Sequence, residues 1–172
     1  MADMIVDETR ERIRAALAAT PGGVLEEIAR NQQTSLREVL DCLPEGEAAP
    51  VAAAHFEAIW QDLTEWGPIM FIVHTDNGVF ETKGAIPPGS FGRGYFNIHG
   101  DSPIGGHLKM DRCAAIYFVD RPFFGRRSCS VQFISTSNDI MFKIFVGRDE
   151  AREMIGDQLA RFEALRKRFG GV

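Results

Sequence analysis

WGPIMFIVHTDNGVFETKGAIPPGSFGRGYFNIHGDSPIGGHLKM, from Trp66 to Met110, is the stretch in which the hydrophobic pattern changes period. Before it, apolar residues recur at three- and four-residue steps. From Ile69 onward they alternate or form short solid runs, which is the pattern of strands. Ile69–His74 and Val79–Lys83 read as strands joined by Asp76-Asn77-Gly78, residues that favour the left-handed backbone of a type I′ hairpin. Gly94–His99 and Gly106–Met110 follow as shorter strands. Ala114–Val119, Ser128–Ser135 and Ile140–Val146 continue the series, the last two joined by the turn residues Thr136-Ser137-Asn138-Asp139. Strands that follow one another through tight turns pair antiparallel, and the lack of strand–helix–strand alternation excludes a Rossmann or P-loop architecture.

Working outward, the N-terminal side reads as helical. Asp7–Ala19 carries Ile13, Ala16 and Leu17 on one face and ends at Pro21-Gly22-Gly23. Val24–Asn31 is a second helix, with Leu25, Ile28 and Ala29 inward. A third begins at Ser35, where Ser35 and Glu38 form a capping box, and is closed by Pro44. The pair resembles a helix-turn-helix, but its second helix offers Arg37 beside Glu38 and Asp41 and lacks the side-chain set that reads base edges. Glu45–Pro50 reads as a polar, flexible link. It divides the chain into a helical cap, residues 1–44, and an α+β domain, residues 45–172, packed as one compact unit. A fourth helix spans Ala52–Glu65, with His55 on its surface. A last one spans Glu150–Phe169, with Asp149 as its cap and Met154, Ile155, Leu159, Phe162, Leu165 and Phe169 as its stripe. These elements predict an antiparallel sheet with helices before and after it in the chain and a small N-terminal helical cap packed on it.

Net charge of −5 weighs against a general nucleic-acid binder and against attachment to an anionic membrane. Cys42, Cys113 and Cys129 are odd in number and in no Cys-x-x-Cys pattern, which fits reduced thiols in the cytoplasm. No segment approaches the ~20 apolar residues of a membrane span, and the N-terminus has no apolar leader. Thirteen phenylalanines against two tyrosines supply apolar area with few hydrogen bonds, suited to a greasy core or a greasy ligand.

Signatures of metalloproteases, phosphate loops, nucleophile elbows and calcium loops are missing. Gly89–Gly94 (GSFGRG) has neither the Lys-Ser/Thr pair nor a following helix. Three of the four histidines, His74, His99 and His107, fall in the opening stretch. Their separations, 25 and 8 residues, do not suit zinc. Haem asks for only one or two axial ligands, an apolar slot, and cations for its propionates. Lys83, Arg93, Lys109, Arg126 and Lys143 could supply the cations; the bland alternative is surface histidines at strand ends.

Taken in order, several motifs resemble the HutX/ChuX family of intracellular haem-utilisation proteins. They are Trp66-Gly67, Val73-His74-Thr75, Gly94-Tyr95-Phe96-Asn97, Gly105-Gly106-His107-Leu108-Lys109 and Phe142–Asp149 (FKIFVGRD). Gly23–Glu26, Glu38–Leu40 and Leu43-Pro44 fit as well, so the likeness runs from about Pro21 to the final helix. It implies an α+β fold, a large, mainly antiparallel sheet flanked by helices with a small N-terminal helical cap, and a homodimer that imitates larger relatives carrying the fold twice. It also implies a haem carrier, not an enzyme, that accepts imported haem and passes it to a haem-degrading enzyme. Haem degradation with an external electron donor, and DNA binding through the N-terminal helices, are the alternatives. The family's haem-binding histidines fall on His74 and His107, the candidate axial ligands. Tyr95, Arg93 and Lys143 are candidate pocket or propionate contacts, Tyr95 being a second choice of axial ligand. His99 occupies a place where the resemblance implies no ligand, and is a neighbour of the site.

Overall fold

The computed structural model describes residues 2–171, and the side chains from Val6 to Gly171. Three helices come first: α1 (Ala2–Ala19), α2 (Leu25–Gln32) and α3 (Leu36–Asp41). The expected capping box is formed, with Ser35 and Glu38 each bonding the other's backbone N–H. Thr34 and Ser35 hydrogen bonds to the Glu38 carboxylate hold it below the usual carboxylate range. Leu36, Val39 and Leu40 are buried. Arg37 reaches Asn138, and Asp41 accepts a 2.7 Å bond from the Tyr117 hydroxyl.

The strand series then unfolds with two additions. Strand β1 (Ala48–Ala52) occupies the second half of the segment expected to be a flexible link. It pairs in continuous register from Ala48↔Val119 to Ala52↔Ala115, which satisfies its backbone and buries Ala49 and Val51. After a 3-10 turn at Ala53–His55 comes α4 (Phe56–Leu63), with His55 exposed as expected. Then follow β2 (Pro68–Thr75) and β3 (Gly78–Ala85). The second unforeseen strand, β4 (Gly89–Gly92), pairs with β5 (Tyr95–Ile98), which pairs with β6 (Gly106–Leu108). Long strands β7 (Cys113–Phe123) and β8 (Arg126–Ser135), then β9 (Ile140–Phe145), complete the set. The large sheet runs β1-β7-β8-β9-β2-β3, antiparallel throughout; β4-β5-β6 is a separate small sheet.

The Asp76-Asn77 hairpin forms, but neither residue has positive φ. Thr75 organises this turn instead: its hydroxyl accepts from Asn77 N–H at 3.2 Å and donates to Gly78 O at 3.2 Å. Paired left-handed residues occur at two other tips, Arg93-Gly94 (φ 55°, 78°) and Phe124-Gly125 (φ 46°, 78°). The last helix, α5 (Gly156–Gly170), begins later than Glu150. Arg148 and Met154 form a β-bridge, and Asp149 accepts from Glu153 N–H within that loop and so does not cap the helix. Buried Gln158 then pins α5: its amide donates to Trp66 O and Pro68 O, and its Oε1 accepts from Gly147 N–H.

Alternation along the strands builds two cores. Ile116, Phe118, Val131, Phe133, Phe142 and Ile144 face α4, α5 and the small sheet, with Phe142 stacked between Phe71 and Phe133. Ala115, Tyr117, Val119 and Ile134 face the cap. The cap therefore covers one half of its face of the sheet. The rest of that face, β9-β2-β3 with the neighbouring ends of β7 and β8, is left to form a site.

Candidate functional site

With Ile69, Phe71 and Val73 packed into the aromatic core, period-two geometry turns Met70, Ile72 and His74 to the opposite face. Across the hairpin, Val79, Glu81 and Lys83 join them, and from β9 come Lys143 and Phe145. Register explains the company: Ile72 pairs with Lys143, so Lys143 projects on the same face as His74. These side chains floor a cavity of about 810 Å³, walled by Val24–Glu26 of the cap and the β7–β8 tip. Such a volume lies within the range of ligand-binding pockets, ~300–1,000 Å³.

The walls are largely apolar, and the charged part of the lining is mostly cationic. Ile72, Val79, Val119, Phe123 and Phe124 give hydrocarbon surface. Six lining residues are cationic (Lys83, Arg121, Arg126, Lys143, Arg148, Arg152) against two carboxylates (Glu26, Glu81). Lys143 forms an ion pair with Glu26, so it is not a free cation. His74 Nδ1 lies 3.4 Å from the same carboxylate. Arg121 is buried, donates to Gly23 O at 2.9 Å and sits 3.7 Å from Glu47; burial lowers its pKa from the ordinary guanidinium value. Lys83, Arg126 and Arg152 have no carboxylate within ion-pair distance among the described residues. The β7–β8 tip is tied to the cap by Phe124 N–H donating to Gly22 O, which fixes the mouth.

His107 lies elsewhere. Phe96, Ile98 and Leu108 of the small sheet point into the aromatic core, so Tyr95, Asn97 and His107 face outward. Asn97 donates its amide to the carbonyls of Ser90, Gly92 and Tyr95, which leaves its Oδ1 to accept from His107 Nδ1 at 2.6 Å. The Tyr95 ring is 5.9 Å from the His107 ring, with Lys109 Nζ 5.2 Å from its centroid. Arg93 is exposed at the hairpin tip beside them, and His99 is exposed in the following loop. The structure thus brings His74 and Lys143 together, and separately His107 and Tyr95, with Arg93 at the turn that precedes Tyr95. The core and the large sheet stand between the two groups.

Both histidines hold Nδ1 toward an acceptor and leave Nε2 for a ligand. Of the two, His74 combines this with a half-open, largely apolar slot and cations, the donor set that suits a flat, anionic tetrapyrrole. Glu26, Arg121, Ser130 and Gln132 escaped the sequence reading. The alternation Ser128-Cys129-Ser130-Val131-Gln132 was a signal for a polar strip on the cavity face. Nothing local could have paired Glu26 with β2.

Residues 49–165 match the family model described as haem utilisation ChuX/HutX. The intracellular heme transport protein HutX of Vibrio cholerae serotype O1 is 32% identical over 163 residues, covering 94% of this chain and 84% of that protein. A solved protein of Agrobacterium tumefaciens is 50% identical with TM-score 0.87, covering 95% of this chain and 92% of that one. The solved heme-binding protein ChuX is 33% identical with TM-score 0.81, covering 89% and 96%. The fold, the motifs and these likenesses agree, and the chain belongs to the ChuX/HutX family of haem-utilisation proteins.

Proposed function

We propose that this protein is a haem carrier of the cytoplasm, which holds imported haem in the cavity over β9-β2-β3 and releases it to a haem-degrading enzyme. The observation that carries the reading is the cavity itself. Its walls are largely apolar, His74 stands in its floor with Nε2 unengaged among the described residues, and cations outnumber carboxylates on its lining. Its hydrocarbon walls hold the ring by removing apolar area from water, at ~25 cal/mol per Å². Lys83, Arg126 and Arg152 are placed to meet the propionates. A single imidazole from one chain gives binding that remains exchangeable, as delivery requires.

His107, with Tyr95 and Arg93, is assigned to a second contact used during acceptance or release, because one chain cannot close it over the cavity. A homodimer is part of the proposal. Edge strand β3 leaves Phe80, on the face away from the cavity, exposed at 66%, apolar surface at an open sheet edge that a second copy would cover. Among the described residues no helix is long and apolar enough to cross a membrane.

The test is optical. The reading expects haemin to titrate the apo-protein to a saturating Soret band. With ascorbate and oxygen the band persists, and the haem moves intact to apomyoglobin. Failure to saturate would remove the carrier reading, and steady Soret loss with stoichiometric tetrapyrrole product would replace it with haem degradation.

A further inference from the structure

We propose that Glu26, at the start of the N-terminal cap, is the positioning residue for His74. The inference rests on the reading of His74 as the haem ligand and adds what sets that ligand's tautomer and strength. Three elements meet here. Glu26 comes from the first turn of α2, His74 from β2 and Lys143 from β9. Glu26 Oε1 lies 3.4 Å from His74 Nδ1 and in contact with Lys143 Nζ. Side-chain exposures are 17% for His74, 11% for Glu26 and 9% for Lys143, so the contacts are made largely out of water. Both carboxylate oxygens are buried, and neither makes a hydrogen bond among the described residues, so the carboxylate is held by its ion-pair contacts to His74 and Lys143 and not by its own helix.

An ionised carboxylate only accepts hydrogen bonds, so the ring nitrogen facing it carries the proton. The facing carboxylate thus favours the Nδ1–H tautomer, which presents the Nε2 lone pair on the opposite side of the ring. A carboxylate behind a metal-bound histidine also makes it a stronger ligand, and losing such a partner typically weakens metal affinity by ~10- to 100-fold. Lys143 balances the charge that Glu26 brings into the cavity and keeps the carboxylate over the strand. The cap thus acts on the ligand without itself touching the iron.

Two variants of the full-length protein separate this role from folding. Glu26→Leu with Lys143→Met removes the buried pair without leaving one charge alone. Glu26→Gln keeps an acceptor but not the charge. Nitrogen-15 spectra of the apo-protein imidazole should show the Nδ1–H tautomer in the wild type and in Glu26→Gln, and a mixture in the double variant. Haemin should dissociate ~10- to 100-fold faster from the double variant, and the ferric/ferrous midpoint potential should move positive in both. A folded double variant with the wild-type tautomer, dissociation rate and potential would overturn the inference. His74→Ala run alongside locates any failure. If it loses the ligand band while the double variant is unchanged, only the role of Glu26 falls. If it keeps the wild-type spectrum, the ligand reading falls and takes this inference with it.

Discussion

Burial makes Cys113, Cys129 and Tyr117 poor acids in the fold. The thiols are pushed up to about 11 and about 12. Tyr117 is raised to about 12, by burial first and then by its bond to Asp41. Their unfolded counterparts ionise near ~8.5 for a thiol and ~10 for a phenol. A raised folded pKa means that the stability these groups contribute is complete below the unfolded value and is lost as pH climbs toward the folded one. The denaturation midpoint should therefore hold from neutrality to about pH 8 and fall between about pH 9 and 11. A midpoint constant or rising across that interval would contradict the burial of these groups. Among the cavity residues, His74 could be named from the chain through the family resemblance, and Lys143 as one of several cations on strand-like runs. Their partnership with Glu26 could not be, since it joins residues 26, 74 and 143 through tertiary packing alone.

At the scale of elements, the long strands were legible wherever a turn of familiar chemistry separated two apolar runs, as at Thr136–Asp139. The missed strands are short or small-residued. β1 is Ala-Ala-Pro-Val-Ala, with too little hydrophobic contrast to show a period, and it is specified by the edge of β7. β4 is Gly-Ser-Phe-Gly, exposed throughout and defined only by its pairing with β5. Gly89 in that strand has a steric reason: a Cβ there would overlap the Phe96 ring. Gly89→Ala should lift β4 from β5 and cost about 1–3 kcal/mol. Chemical denaturation would measure the loss, and amide exchange would show it concentrated in Gly89–Ile98. A loss under ~0.5 kcal/mol would mean that Phe96 moves freely and that the small sheet is not close-packed there. The late start of α5 has a similar cause. Its apolar stripe reads back to Met154, but the Arg148–Met154 bridge and the Gln158 clamp use the preceding residues for a loop.

At the scale of the molecule, one sheet separates two chemistries. Its aromatic side carries the small sheet with Tyr95 and His107 on the outside. Its other side is half covered by the cap and half open as the cavity around His74. Sequence order places His74 and His107 in one stretch, and only the fold shows that they face away from each other. Where haem sits is therefore the claim on which the account depends. The direct measurement is a map of amide-resonance broadening by paramagnetic haemin added in small steps to isotope-labelled protein. The account predicts that Ile72, His74, Val79 and Lys143 broaden first and most strongly, while Tyr95 to His107 stay sharp. Broadening centred on Tyr95 to His107, with the cavity strands sharp, would contradict it.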